Sequence, residues 1–246
     1  MLINEPKPVF LWGRSLDEYR QMFLLSETDL KSKILGCGDG PASFNAEMHQ
    51  LSHRVVSADP IYALTGEQIR RAFDESHQTI LKHCLDRPRN ITWSYFSGPE
   101  HLGETRTQVM DRFLQDFPSG RQQQRYVARS LPHLEFPNRS FDLALCSHFL
   151  FLYSKRFSVE FHLQAIREMC RVAREVRIFP LVRIDKKPKL SRHVKPVIRQ
   201  LKKEGFDSEI IRTPYEFLRG GNTMLKITPQ KTPPSPKPWL RRLFGA

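Results

Sequence analysis

Three glycines at alternate positions, Gly36, Gly38 and Gly40, followed at about twenty residues by Asp59, form the arrangement in this chain best suited to chemistry. Glycine accepts positive φ and has no side chain, so such a loop lets a ligand lie directly on the backbone. A carboxylate at that spacing is placed to accept the hydroxyls of an adenosine ribose. Further along, His148 follows the apolar run of residues 141–147, with Tyr153 five positions later. A neutral imidazole with a pKa near ~6.5 can take up a proton, and a tyrosine hydroxyl can orient a substrate. The plainer reading of His148 is a structural hydrogen bond or a cofactor contact, and residues 149–152 read as core.

These residues need strands to present them. Ile34 and Leu35 read as the end of a strand entering the glycine loop, and Pro41 suits the first turn of a helix, where its missing N–H is no loss. Residues 54–58 form a second strand that delivers Asp59 to its carboxyl end. Further strands are expected at 125–129, 141–147, 176–182, 207–212 and 224–228, the last two joined through Gly220, Gly221 and Asn222. Helices are expected at 66–85, 159–174 and 194–204, the last ended by Gly205. The pattern predicts an α/β, Rossmann-like fold with a mostly parallel sheet, whose ligand lies outside the carboxyl ends of the strands.

The spacing of the glycines separates two cofactor classes. A dinucleotide fingerprint has a third glycine three residues after the second, where this chain has Pro41, Ala42 and Ser43 in succession after Gly40. The G-x-G-x-G register instead resembles the first motif of class I S-adenosylmethionine-dependent methyltransferases. The stretch Ser140-Phe141-Asp142 opening an apolar run is similar to that family's fourth strand, and Ser130-Leu131-Pro132 to its exit from strand three. The resemblance covers residues 32–229. It implies a seven-stranded sheet with the last strand antiparallel, S-adenosyl-L-methionine as cofactor, and methyl transfer as the activity. Gly36, Cys37, Gly38 and Gly40 would meet the amino-acid part of the cofactor, Asp59 and Pro60 the ribose, Ser130 and Leu131 the adenine, and Ser147 the region of the methyl group. Two positions depart from the family pattern: Ile34 stands where an acid usually precedes the first glycine, and Arg129 or Ser130 where an acid often follows strand three. Adenine contacts are then expected from backbone amides near Leu131.

The leader Gly13-Arg14-Ser15-Leu16-Asp17-Glu18-Tyr19 is similar to that of a bacterial subgroup of the family, and no substrate follows from the likeness. Ser15 and Glu18 make a capping box that starts a helix through about residue 25. Its face of Leu16, Tyr19, Met22 and Phe23 serves either as a lid over the site or as a stripe packed on the domain edge. Trp12 and Tyr19 could face a sulfonium, and Arg14 could clamp the cofactor carboxylate.

Charge is divided unevenly. Residues 1–154 hold 17 Lys and Arg against 18 Asp and Glu, whereas residues 155–246 hold 22 against 8. The whole net charge of +13 is therefore C-terminal. Residues 183–203 carry most of it, a field that attracts phosphates or another anionic surface unless it is a plain solvated face. A second reading follows: a non-catalytic methyltransferase-like module that binds nucleic acid or an acidic partner through this half. Four scattered cysteines, Cys37, Cys84, Cys146 and Cys170, without a CxxC pair suit a reducing compartment. With no long apolar run and no secretory leader, the expectation is a cytoplasmic protein that does not span a membrane. The organisation expected is an N-terminal lid segment and helix at 1–31, a methyltransferase domain at 32–229 with an insertion at about 88–124, and a Pro-rich basic tail at 230–246.

Overall fold

The computed structural model describes residues 11–184 and 187–229. The tail at 230–246, and Asp185 and Lys186 of the basic stretch, lie outside the described residues.

The leader enters through helix α1 (Leu16–Phe23), whose capping box is formed as expected: Ser15 Oγ accepts from the Glu18 amide and Glu18 accepts from the Ser15 amide. A short α2 (Glu27–Lys31) leads into strand β1 (Lys33–Cys37). Then follow α3 (Phe44–Gln50), β2 (Arg54–Ala58), α4 (Gly66–Asp86), α5 (Pro99–Gln122) and β3 (Tyr126–Val127). The second half runs β4 (Phe141–Ser147), α6 (Val159–Val172), β5 (Ala173–Phe179), β6 (Val182–Arg183), β7 (Lys189–Leu190), α7 (Val194–Lys203), β8 (Phe206–Arg212) and β9 (Thr223–Pro229).

Seven strands form one sheet in the order β3-β2-β1-β4-β5-β9-β8. β1 pairs in parallel with both β2 and β4, whereas β9 runs antiparallel to β5 and β8. The chain thus leaves β1 towards one side, returns, and continues from β4 towards the other. That reversal opens a crevice above the carboxyl ends of β1 and β4, the place where open α/β sheets bind ligands. One face of the sheet is covered by α6 and α7, which bury Leu163, Ile166, Met169, Val197 and Leu201 against β4, β5 and β9. The other is covered by α1 and α3, with Tyr19, Phe23, Phe44 and Met48 against Ile34 and Leu145. The central strands are buried on both faces, which is why they read as apolar runs and not as alternations.

Two expectations are corrected. The helix expected at Pro41 begins at Phe44: Gly40 is left-handed (φ 57°), its carbonyl accepts from Tyr62 Oη at 2.7 Å, and the Pro41 carbonyl lies against Gly13. A Cβ on Gly13 would sit 2.0 Å from that oxygen, so at this point the leader and the loop touch backbone to backbone. The strand expected at 176–182 begins at Ala173, ends at Phe179, and resumes as β6, part of a separate ribbon with β7. Pro180 stands at the break and has no N–H for a ladder.

Residues 88–124 contain α5, a 24-residue helix that packs on α3, α4 and β3 and buries Phe113 and Phe117 against Tyr62 and Tyr126. Its approach, residues 91–96, folds Ile91 and Phe96 into the core beside Phe217.

Candidate active site

A cavity of about 400 Å³ lies over the carboxyl ends of β1, β2 and β4. Its lining brings together Arg14, Gly38, Gly40, Asp59, Pro60, Ser130, Leu131, Ser147, His148 and Tyr153, residues drawn from six separate stretches of chain. Gly36, Cys37 and Tyr19 are not in the lining; all three stand behind it, buried.

The reason Gly36 must be glycine is internal. A Cβ there would fall 1.7 Å from Asp39 Oδ2, because the Asp39 side chain folds back over it. Asp39 Oδ1 accepts from Tyr19 Oη and Oδ2 from Ser57 Oγ, both at 2.7 Å. Burial pushes this carboxyl up to about 6; the two hydroxyls oppose the rise and nearby Asp59 adds to it. Asp39 reaches the cavity from the loop itself. Tyr19, expected to face a ligand, positions Asp39 and stacks on Phe44 with ring centroids 4.1 Å apart. Cys37 is a buried core thiol raised well above its ordinary value, by burial first and then by Cys146 and Asp39.

Gly38 and Gly40 are both left-handed, with φ of 68° and 57°. A Cβ on Gly38 would crowd the Phe149 ring at 3.2 Å, whereas one on Gly40 would meet nothing. Gly40 donates its amide to Asp59 Oδ2 at 2.9 Å, and the Ile61 amide donates to Oδ1 at 2.9 Å. These bonds tie the end of β2 to the glycine loop and aim a carboxylate along the cavity wall. Burial raises the Asp59 pKa, and the two amides work against the rise.

At the leader's side of the cavity sits a buried ionic cluster. Glu18, fully buried, accepts from Arg106 at 2.5 and 2.8 Å, from Tyr215 Oη at 2.7 Å and from the Ser15 amide at 3.0 Å. Burial alone would raise Glu18; the guanidiniums of Arg106 and Arg14 prevail and hold it below its ordinary value. Arg14 lies 3.6 Å from the same carboxylate and donates to the carbonyls of Trp12 and Gly13. Its buried Nε has no hydrogen-bond partner among the described residues. Two buried guanidiniums thus share one carboxylate. Burial and then Arg106 lower the Arg14 pKa, the signature of a cation short of counter-charge. Of the two, it is Arg14 that lines the cavity.

At the end of β4, Ser147 Oγ and His148 Nδ1 are 2.9 Å apart. His148 is half-buried and adopts φ 51°, and its amide donates to the Phe179 carbonyl at 2.6 Å, which sets the bend that turns the chain across the cavity. Burial, and then the charges of Arg14 and Arg106, hold its imidazole well below the ordinary value. It is neutral at pH 7 and a weak proton acceptor. Tyr153 lies in the lining with the Arg156 guanidinium 5.1 Å from its ring centroid. The rest of the wall mixes apolar groups, Ile80, Cys84, Ile91, Leu152, Phe217 and Leu218, with the polar side chains of His83, Arg87 and Asn90.

Sequence reasoning passed over Asp39, Glu18, Arg106 and Tyr215. Asp39 stood in plain view between Gly38 and Gly40, and the missing acid at 34 was the signal to look for a substitute. Glu18 is visible as a capping residue and in nothing else. Arg106 and Tyr215 leave no local trace, since they meet Glu18 from 88 and 197 residues away.

Sheet order, the position of the glycine loop at the reversal point and the cavity above it define a Rossmann-like methyltransferase fold. The chain belongs to the same family as uncharacterized protein MJ0045 of Methanocaldococcus jannaschii: the two are 31% identical over 222 residues, which cover 90% of this chain and 96% of that protein. No protein-family model matches the sequence. Among solved structures it is similar to the PH0226 protein of Pyrococcus horikoshii OT3 (12% identity, 87% of this chain and 90% of that one, TM-score 0.47). It is also similar to a TehB-like SAM-dependent methyltransferase of Corynebacterium glutamicum (14%, 87% of each chain, 0.45). A third is the magnesium protoporphyrin IX methyltransferase of Synechocystis PCC 6803 with bound SAM (12%, 88% of this chain and 78% of that one, 0.43). None of the described helices is long and apolar enough to cross a membrane.

Proposed function

We propose that the protein is an S-adenosylmethionine-dependent methyltransferase. One observation carries the reading: a single cavity has, along its wall, a carboxylate held by two loop amides, two left-handed glycines, and a buried arginine short of counter-charge. The chemistry of that set fits the cofactor group by group. Asp59 would accept the ribose hydroxyls, with Pro60 beneath them. Ser130 and Leu131 would flank the adenine. The backbone at Gly38 and Gly40 would admit the amino-acid portion, Asp39 would accept its ammonium, and Arg14 would pair with its carboxylate. The leader Gly13–Tyr19, which resembles that of a bacterial subgroup of class I enzymes, contributes Arg14 directly and Tyr19 through Asp39.

When bound, the cofactor supplies an electrophilic methyl group on a positive sulfur. The chain's share of the work is alignment: holding the acceptor at near-attack distance, in line with the breaking bond, contributes much of the rate in reactions of this kind. The Ser147–His148 bend faces that position from the end of β4, and Tyr153 stands farther along the wall. His148 receives a hydroxyl or carbon-acid proton poorly, because burial and two guanidiniums disfavour its charged form. An acceptor whose lone pair is free at neutral pH, such as a carboxylate, would need no proton removed, whereas an amine would first have to lose its own.

Calorimetric titration of the full chain with S-adenosylmethionine, S-adenosylhomocysteine and NAD tests the reading. Micromolar binding of both sulfur ligands and none of NAD is the expected result. Absence of binding by either sulfur ligand, or preferential binding of NAD, overturns it.

A further inference from the structure

A second, more open cleft of about 450 Å³ lies between residues 154–159 and 192–196, one residue along the chain from Tyr153 of the main cavity. Two helices start at its wall: α6, capped by Ser158, and α7, where the His193 and Val194 amides donate to Ser191 and Pro196 has no N–H. The dipoles of two helices that start here favour an anion. A separate observation points the same way. Ser154 and His193, 3% and 7% exposed, both line the cleft, and Ser154 Oγ and His193 Nδ1 have no hydrogen-bond partner among the described residues. A buried polar atom left unpaired costs about 1–3 kcal/mol. A hydroxyl and an imidazole N–H are both donors to an oxyanion. Burial, then His162 and Arg192, lower the His193 pKa, so the free ring is neutral and donates without adding charge. Lys155, Arg156 and Arg192 line the same cleft, and among the described residues no carboxylate does.

We propose that this cleft is a phosphate-binding subsite and that the phosphate belongs to a nucleic-acid strand lying along α7. A single small phosphate ester would be served by the cleft alone. The surface continues beyond it: Lys195, Arg199, Lys202 and Lys203 are exposed on α7, over a rise of about 12 Å at 1.5 Å per residue. Lys187 and Lys189 are exposed on the other flank. A stripe of that length is useful to a polyanion, whose counterions it releases. Naming the strand as the methyl acceptor rests on the methyl-transfer reading; the binding itself does not.

The test is fluorescence anisotropy of a short labelled single-stranded RNA with the full chain across a salt series, beside the cofactor titration above. Binding should weaken linearly in log–log form by about 0.7 per phosphate contact. Arg192→Glu should lower affinity about tenfold and flatten the slope by about one contact, with Lys202→Glu costing less. Ser154→Ala, nearly isosteric and checked by thermal unfolding, should weaken RNA severalfold and abolish competition by inorganic phosphate at matched ionic strength. Four results overturn the proposal: no RNA binding at low salt, phosphate competition without RNA binding, a Ser154→Ala variant indistinguishable from the parent, or Lys202→Glu as damaging as Arg192→Glu, which would mean a diffuse field and no subsite. Loss of cofactor binding with RNA binding intact would sink the enzyme reading alone.

Discussion

The two ends of the main cavity are built on opposite plans. At the end over β1 and β2 the acids are held by partners from other stretches of chain: Asp39 by Tyr19 and Ser57, Asp59 by the Gly40 amide, Glu18 by Arg106 and Tyr215. At the other end apolar groups dominate, Ile80, Cys84, Ile91, Leu152, Phe217 and Leu218, with His83, Arg87 and Asn90 set among them. The first end is rigid before a ligand arrives, because each group is held by contacts the ligand does not supply. The second discriminates largely by volume and apolar contact, and a methylene more or less against such a wall is worth about 1–3 kcal/mol. Under the methyl-transfer reading this divides the labour: an invariant cofactor is met by the wired end, and the acceptor by the plain one.

The sharpest way to break the contrast is to cut the wiring. Glu18→Gln removes the one carboxylate shared by two buried guanidiniums, which then repel each other without compensation. Breaking a buried pair in this way destabilises by about 3–5 kcal/mol, so urea unfolding should show a large loss of stability or no cooperative folding at all. A substitution in the apolar wall, such as Leu152→Val, should cost about 1 kcal/mol. Equal costs at the two ends would erase the distinction.

Asp39 sharpens the same point through pH. Its folded pKa stands near 6, against about 3.9 in the unfolded chain. Between those values the folded protein retains a proton that the unfolded chain releases. Stability therefore falls as pH rises through that window and its contribution is constant above it; the full drop is at most ~3 kcal/mol. Asp39→Asn should abolish that slope, as unfolding measured from about pH 4 to about pH 8 would reveal. If the slope persists in the variant, the carboxyl is not the group that titrates. The same ionisation sets a ligand effect of matching sign: binding of a cationic ammonium should tighten as pH rises through 6.

How much of this was legible beforehand follows from the range of the contacts. Residues 36–40, strand β2 and Asp59 form a local pattern, and they sit in the structure where spacing put them. The capping box at Ser15 and Glu18 is likewise local and correct. The helix start failed by three residues because Pro41 is pinned by Gly13, a backbone contact that no propensity scale contains. Gly36 was read as making room for a ligand, whereas it makes room for Asp39. The ionic cluster was invisible for a stronger reason: Arg106 reads as one more charge on an amphipathic helix, and only the fold shows that it faces inward.

Asp59→Ala probes the wired end with a smaller structural penalty. The variant gives up two amide bonds at the rim of the cavity and should fold, since the neighbouring Tyr62–Gly40 bond still fastens the loop. Cofactor affinity should fall at least ~100-fold, the scale expected when charge-assisted hydrogen bonds worth about 1.5–3 kcal/mol each are lost. Unchanged affinity in a folded variant would remove Asp59 from the ribose role and leave it as a clasp between β2 and the glycine loop.

His148 lies where the two plans meet, and the effect expected there is the smallest. A true general base contributes about 10²–10⁴ in rate and writes its pKa into the pH profile. Here burial, Arg14 and Arg106 all disfavour protonation, and Ser147 Oγ already sits 2.9 Å from Nδ1. The ring's structural role is equally concrete: its residue bends at φ 51° and its amide is fastened to Phe179. Turnover in His148→Ala should therefore fall by less than ~10-fold, below the range of a general base, with cofactor affinity unchanged. The profile of the parent should run flat from about pH 6 to about pH 8, with no inflection near the ordinary imidazole value. A hundredfold loss together with such an inflection would mean that acceptor binding restores the charge compensation Arg14 lacks in the free protein, and His148 would then be the base after all.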